Sequence, residues 1–212
     1  MNDSDSAETA LESCAGSGFP QLRLETVCAG VRPSLDRIAL ARVATPFGDC
    51  LVGSAGGAVC FLEFVGHDEQ PALSRLKAIW PCVQLQPMAG PGLALGPLLG
   101  DAAAGPAALH LRGTPFQLRV WTALLGIPAG TSSAYRELAA RIGAPRAARA
   151  VAGAVAANHL AVLVPCHRVV RADGSPGGYR WGRSLKLALL AAEQAALHPS
   201  VTRNAVICAP GS

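Results

Sequence analysis

A chain of 212 residues, half of them hydrophobic and 15% charged, can bury one good core or two small ones. No run of eighteen apolar residues offers a membrane span, and the opening Met1-Asn2-Asp3-Ser4-Asp5 is acidic where leader peptides are basic, so a cytoplasmic protein with no membrane partner is expected. The net charge of +4 conceals an asymmetry: residues 112–190 hold ten Arg and one Lys against only Glu137 and Asp173, a segment at +9, while the remainder of the chain stands at −5. An Arg-rich half fits a polyanionic partner, although Arg also simply solvates an Ala-rich surface.

Taken in order, residues 1–34 mix acids, Ser, Gly and Pro without periodicity and read as a loosely ordered lead-in. Ile38 to Thr45, Cys50 to Ser54 and Ala58 to Val65 are rich in β-formers, with Gly56-Gly57 as a hairpin signal between the last two. A small antiparallel sheet is expected. Pro71 to Trp80 carries Leu73, Leu76, Ile79 and Trp80 at helical spacing, a helix to pack on that sheet. Pro87 to Pro106, dense in Gly, Pro and Ala, reads as a linker. The expected organisation is a lead-in (1–34), an α/β lobe with linker (35–111), a second domain (112–196) and a tail (197–212).

Beyond the linker the pattern turns helical: Pro115 to Leu125, Ala134 to Ile142 and Arg146 to Ala157, broken at Pro128-Ala129-Gly130 and Gly143-Ala144-Pro145. The last two, joined by a tight Gly-containing turn, have the form of a helix-turn-helix. The second carries Arg146 and Arg149 among small residues (Ala147, Ala148, Ala150, Ala152, Gly153, Ala154, Ala156), so it can lie very close to another surface, whether a neighbouring helix or a groove of DNA.

The chemistry concentrates between Asn158 and Val170, where an apolar run, Leu160 to Val164, reads as a buried strand delivering Pro165-Cys166-His167-Arg168. A thiolate is the strong nucleophile, and an imidazole within reach, directly or through one water, lowers the thiol pKa. Arg168 can add its field, and Glu193, on an amphipathic helix from Ser184 to Ala196, is one of few acids here able to orient the base. The seven cysteines (14, 28, 50, 60, 82, 166 and 208) are odd in number and form no C-x-x-C pair, which gives neither a disulfide framework nor a zinc-ribbon pattern.

Read together, Arg149-Ala150-Val151-Ala152, Asn158, Pro165-Cys166-His167-Arg168-Val169-Val170 and Gly178-Tyr179-Arg180-Trp181-Gly182 resemble the O6-methylguanine-DNA methyltransferase family. Gly113-Thr114-Pro115-Phe116-Gln117, Val120-Trp121, Ile127-Pro128-Ala129-Gly130 and Tyr135-Arg136-Glu137-Leu138-Ala139 match as well. The resemblance is strong over residues 112–195, only in outline over 36–111, and nearest to the C-terminal half of bacterial Ada.

It implies an α/β (α+β) fold, in which a ribonuclease H-like sheet lobe precedes a winged helix-turn-helix-like domain that binds DNA and carries the catalysis. It further implies irreversible transfer of an alkyl group from O6-alkylguanine in double-stranded DNA to the protein, once per molecule, by base flipping from the minor groove. In that scheme Cys166 is the acceptor, His167 the base acting through a water, Glu193 the carboxylate that fixes the imidazole, and Asn158 the tie between helix and strand. Arg149 is the finger that fills the gap left by the base, with Ala147, Arg146 and Gly153 beside it on the DNA-binding helix. Tyr135 meets the flipped nucleotide and protonates the leaving guanine. The backbone around Tyr179 and Arg180 covers the base, and the carbonyls of Cys166 and Val169 accept from its amine. No cofactor is expected, and a monomer suffices. Ala134 stands where the family has Ser and His159 where it often has Pro. No metal site is expected, since Cys50, Cys60, Cys82 and His67 lack ligand spacing, and residues 1–111 lack the Cys cluster of full-length Ada. Two other readings stay open: a non-reactive lesion binder or damage-response regulator on the same helix-turn-helix, and a thiol hydrolase, distinguished by recovery of unmodified Cys166 after turnover.

Overall fold

A computed structural model describes residues 22–27, 33–88 and 108–197 of the chain. Its first half is one sheet built from β1 (Leu22–Thr26), β2 (Arg37–Val43), β3 (Cys50–Ala55), β4 (Ala58–Phe64), β5 (Gln84–Pro87) and β6 (Leu109–Gly113), with helix α1 (Gln70–Ile79) between β4 and β5. Gly56 and Gly57 form the two-residue connection of β3 to β4 with φ of +54° and +78°, the left-handed pair that a tight hairpin requires.

The strand order is β1-β6-β4-β3-β2-β5. Only β2, β3 and β4 are antiparallel; β1 with β6, β6 with β4, and β2 with β5 run parallel, so the sheet is mixed and larger than the small antiparallel one expected. The three added strands have a common physical cause. Each is short and pairs with a segment far away in sequence, so backbone bonding, not a local side-chain pattern, makes it a strand. Thus β1 arises inside the stretch read as a loose lead-in, its Leu22 and Leu24 pairing with Leu109 and Leu111. The boundary placed between residues 111 and 112 falls inside β6, whose five residues are all buried. Most of the expected linker lies outside the described residues.

Side chains fill both faces of the sheet. On one face Leu76, Ala72 and Trp80 from α1 and the residue after it meet Ile38, Leu51 and Phe61. On the other, Val52, Val59, Leu62 and Leu111 meet the second half of the chain, in one cluster that reaches Cys166.

That second half begins with α2 (Pro115–Leu125), started by a capping box in which the Thr114 hydroxyl accepts from Gln117 N and the Gln117 side chain accepts from Thr114 N. Gly113 is required just before it: a Cβ there would lie 2.7 Å from the Trp121 ring. The Trp121 indole donates to the Ala154 carbonyl at 2.8 Å and so pins α2 to a later helix. A short strand β7 (Ser133–Ala134) leads into α3 (Tyr135–Arg141), and a turn through Gly143 at φ +71° leads to α4 (Ala148–Ala156). Ala134 offers no capping hydroxyl. The start of α3 is held instead by the Glu137 carboxylate, which accepts from Ala134 N at 2.9 Å and from the Ser133 hydroxyl at 3.1 Å. A single 3₁₀ turn at Cys166–Arg168, strand β8 (Val169–Val170) parallel to β7, and α5 (Arg183–Leu197) complete the fold.

Two expectations are corrected here. Leu160 to Val164 is not a strand: only Leu160 bridges to Leu62 of β4, after which the chain turns, with Val162 at φ +63° and Val164 N bonding back to Leu160 O. Burial alone made the run apolar, and a short buried run has the same composition whether strand or turn. Helix α4 also starts two residues later than expected, leaving Arg146 and Ala147 in the preceding turn.

Candidate active site

The apolar turn after α4 sets Cys166 at the start of its 3₁₀ turn, 4% exposed. Asn158, 1% exposed, holds that turn together: its Nδ2 donates to Val164 O at 2.9 Å, Leu160 O at 3.2 Å and Cys166 Sγ at 3.1 Å, while Oδ1 accepts from Leu160 N at 3.0 Å. The tie therefore runs from the end of α4 to a loop, not to a strand.

The His167 ring is fully buried, and its Nε2 lies 2.8 Å from Glu193 Oε1. Glu193 sits on α5 and gathers three further donors: Arg168 Nε at 3.0 Å, Arg168 Nη2 at 2.7 Å and the Gly130 amide at 3.0 Å. Burial alone would raise its pKa, but the bonds from His167, Arg168 and Gly130 hold the carboxyl at about 2, so it is ionised throughout the neutral range. Burial lowers the His167 pKa from its ordinary 6.5, only partly opposed by Glu193, so the ring is neutral at pH 7. An ionised acceptor at Nε2 requires the hydrogen there, which leaves Nδ1 bare; Nδ1 is buried and has no partner. Such an imidazole can take a proton.

Burial pushes the Cys166 thiol up, opposed by the Asn158 hydrogen bond and the charges of Lys186 and Arg180. The resting side chain is a thiol that must lose its proton to react. Tyr135 at the start of α3 is raised by burial and by Cys166, so its hydroxyl keeps its proton as well.

Cys166, Asn158 and Tyr135 line a cavity of about 220 Å³ together with Tyr179, Arg180 and Trp181. Trp181 meets Phe64 of β4 edge-on with ring centroids 6.0 Å apart and Tyr179 at 5.1 Å, so the cavity roof leans on the sheet. Arg149, Ala150 and Gly153 are exposed along α4, with Val151, Ala154 and Val155 on its buried side. Arg146 is exposed and Ala147 partly covered in the turn before it.

Two site residues differ from their sequence reading. Arg168 does not face the thiol; it clamps Glu193, and its Nη1 donates to Ile127 O. Lys186, which sequence reading missed, is fully buried, donates from Nζ to the Val169 carbonyl and is lowered to about 8 by burial. Its one available signal is a lysine set three residues before Leu189 on the apolar stripe of α5. The Val169 carbonyl keeps a second lone pair for another donor.

Fold and site together define a protein that presents a buried cysteine, with a histidine–carboxylate pair behind it, on the floor of a cavity beside a helix-turn-helix. Residues 115–195 match the family model described as 6-O-methylguanine DNA methyltransferase, DNA binding domain. The bifunctional transcriptional activator/DNA repair enzyme Ada of Escherichia coli (strain K12) is 40% identical over 154 residues, 69% of this chain and 42% of Ada. This chain thus spans less than half the length of that relative. A crystal structure of Mycobacterium tuberculosis O6-methylguanine methyltransferase superposes with a TM-score of 0.64 at 35% identity, covering 78% of this chain and 98% of the other. The crystal structure of M. tuberculosis OGT in complex with DNA gives 0.56 at 33% identity, covering 75% and 93%. The chain belongs to the O6-methylguanine-DNA methyltransferase family.

Proposed function

We propose that this chain is a DNA repair protein that removes the alkyl group from O6-alkylguanine in double-stranded DNA and keeps it on Cys166. The observation that carries the reading is the placement of Cys166 in the lining of a cavity of about 220 Å³, bonded by the Asn158 amide just past the helix that carries Arg149, and next in sequence to a His167 that pairs with Glu193.

The exposed face of α4 is made of small residues, Ala150 and Gly153, so it seats closely in the minor groove with Arg149 entering the stack as the damaged base swings out. Arg146 and the turn at Ala147 lie beside it on the backbone. Affinity comes mainly from phosphates meeting the Arg-rich half of the chain, which suits a reader of damage and not of sequence. In the cavity the base is covered by Tyr179 and Arg180, and its amine donates to the carbonyls of Cys166 and Val169.

Chemistry then follows from the groups already placed. The Cys166 proton passes through a water to His167 Nδ1, and Glu193 stabilises the imidazolium that forms. The thiolate attacks the alkyl carbon in line; the S–C bond forms, the C–O6 bond breaks and the electron pair leaves with guanine. Tyr135 supplies a proton to the departing base and is reprotonated from the imidazolium side. The thioether has no route back, so one molecule acts once. The reaction as written consumes no cofactor, and one chain holds every group it needs, so a monomer suffices, acting in the cytoplasm on nucleoid DNA.

The test is incubation with a duplex carrying one O6-methylguanine, followed by peptide mass spectrometry, with Cys166→Ala as control. One methyl group per protein on the Cys166 peptide, absent in the variant, is expected. Binding without modification would leave a lesion binder, and recovery of unmodified Cys166 after repeated cycles would leave a hydrolase.

A further inference from the structure

Helix α4 ends without a cation of its own: its last turn contains no basic residue. The last carbonyls of a helix lack intrahelical donors and form its negative end. Arg180, 24 residues further on and in the cavity roof, turns its guanidinium back onto that end and donates from Nε, at 3.2 Å, and from Nη2 to the Ala156 carbonyl. Among the described residues these are the only hydrogen bonds between α4 and residues 176–182. The same roof has glycines at φ +65° (Gly177) and +101° (Gly182), and the polar atoms of its two aromatic rings, Tyr179 Oη and Trp181 Nε1, have no partner. Its hydrogen bonding to α4 thus depends on one side chain, which also lines the cavity with Cys166, while Tyr179 and Trp181 pack against the core that α4 shares.

We propose that Arg180 is a positioning residue for alkyl transfer, locking the cavity roof to the end of the recognition helix and holding a fixed positive charge beside the Cys166 thiol. The inference rests on the alkyl-transfer reading for its substrate, but not for its effect on the thiol. The groups facing Cys166 are Tyr135 from α3, Asn158 after α4, Tyr179 and Arg180 from the roof, Lys186 from α5, and the adjoining His167 with its Glu193 and Arg168 partners. Of these, Lys186 and Arg180 are the cations whose charge favours the thiolate. Lys186 is already engaged with Val169 O on the buried side, which leaves Arg180 as the cation on the cavity side.

The experiment compares the 212-residue chain with its Arg180→Ala and Arg180→Lys variants in two assays, each run well below the measured Tm. Iodoacetamide labelling of Cys166 across a pH series, read by peptide mass spectrometry with exposed Cys82 as internal reference, reports the thiol without any DNA. The rate constant of methyl transfer from a duplex carrying O6-methylguanine reports the assembled site. For Arg180→Ala the rise of Cys166 labelling moves to higher pH while Cys82 is unchanged, and transfer slows roughly tenfold, the worth of one charge-assisted hydrogen bond. Arg180→Lys keeps the labelling profile and recovers only part of the transfer rate, because an ammonium cannot fork onto the Ala156 carbonyl. An unchanged Cys166 profile in Arg180→Ala overturns the inference, whether the variant merely melts earlier or merely binds DNA less well. If the wild-type protein transfers no methyl group, the functional reading fails, and the labelling profile still decides what Arg180 does to the thiol.

Discussion

Replacing Glu193 by glutamine keeps the side-chain volume and removes the charge on which His167, Arg168 and the Gly130 amide converge. The carboxyl titrates at about 2 in the fold against an ordinary 4.5, and its side chain is 16% exposed. With each pH unit between those values worth about 1.4 kcal/mol, the ionised group contributes about 3 kcal/mol to folding. Because the folded value is the lower one, that contribution is complete above pH 4.5 and is lost as the pH falls towards 2. Glu193→Gln is therefore expected to be about 3 kcal/mol less stable than the parent at pH 7, with the gap closing below pH 4.5. His167 adds an acid sensitivity of the same sign to both proteins: its folded pKa lies below 6.5, so the unfolded chain binds the proton more readily and stability falls on acidification. Urea unfolding followed by tryptophan fluorescence at a series of pH values measures both. Transfer to Cys166 should fall about 100-fold, within the usual worth of a positioned general base, because a glutamine amide can donate to Nε2 and move the ring hydrogen to Nδ1. A stability gap as wide at pH 3 as at pH 7, or a wild-type transfer rate in the variant, would refute the assigned role.

Asn158→Ala removes the amide that ties Val164 O, Leu160 N and Cys166 Sγ together and strands the buried Leu160 N–H, so a loss of about 3 kcal/mol is expected in thermal unfolding at pH 7. An unchanged Tm would mean that the turn holds itself. Arg149→Ala takes away an exposed side chain and should leave the Tm alone. Methyl transfer from duplex DNA should nevertheless slow at least tenfold, by the few kcal/mol that unstacking a base costs, while iodoacetamide labelling of Cys166 stays at the parent rate; equal losses in both assays would contradict a role confined to base extrusion.

Sequence alone was sufficient wherever a residue's job is local or intrinsic to its chemistry. Gly56-Gly57 needs left-handed backbone and makes the hairpin; Thr114, Pro115 and Gln117 start α2 by capping; Gly143 turns α3 into α4. The order Pro165-Cys166-His167 with Glu193 on a later helix was legible because a thiol, an imidazole and a carboxylate are rare in so apolar a segment, and the structure pairs His167 Nε2 with Glu193 Oε1. Tertiary structure alone decided the rest. Parallel pairing of β1 with β6 and of β2 with β5 is a relation between distant backbones that leaves no period in either strand. Whether Leu160 to Val164 extends or turns depends on the single bridge Leu62 affords it, not on its own composition. Arg168, Lys186 and Arg180 are the clearest case. An arginine or lysine in sequence is only a charge, and what that charge does depends on which acceptor lies within reach: Glu193 for the first, the Val169 carbonyl for the second, the Ala156 carbonyl at the end of α4 for the third.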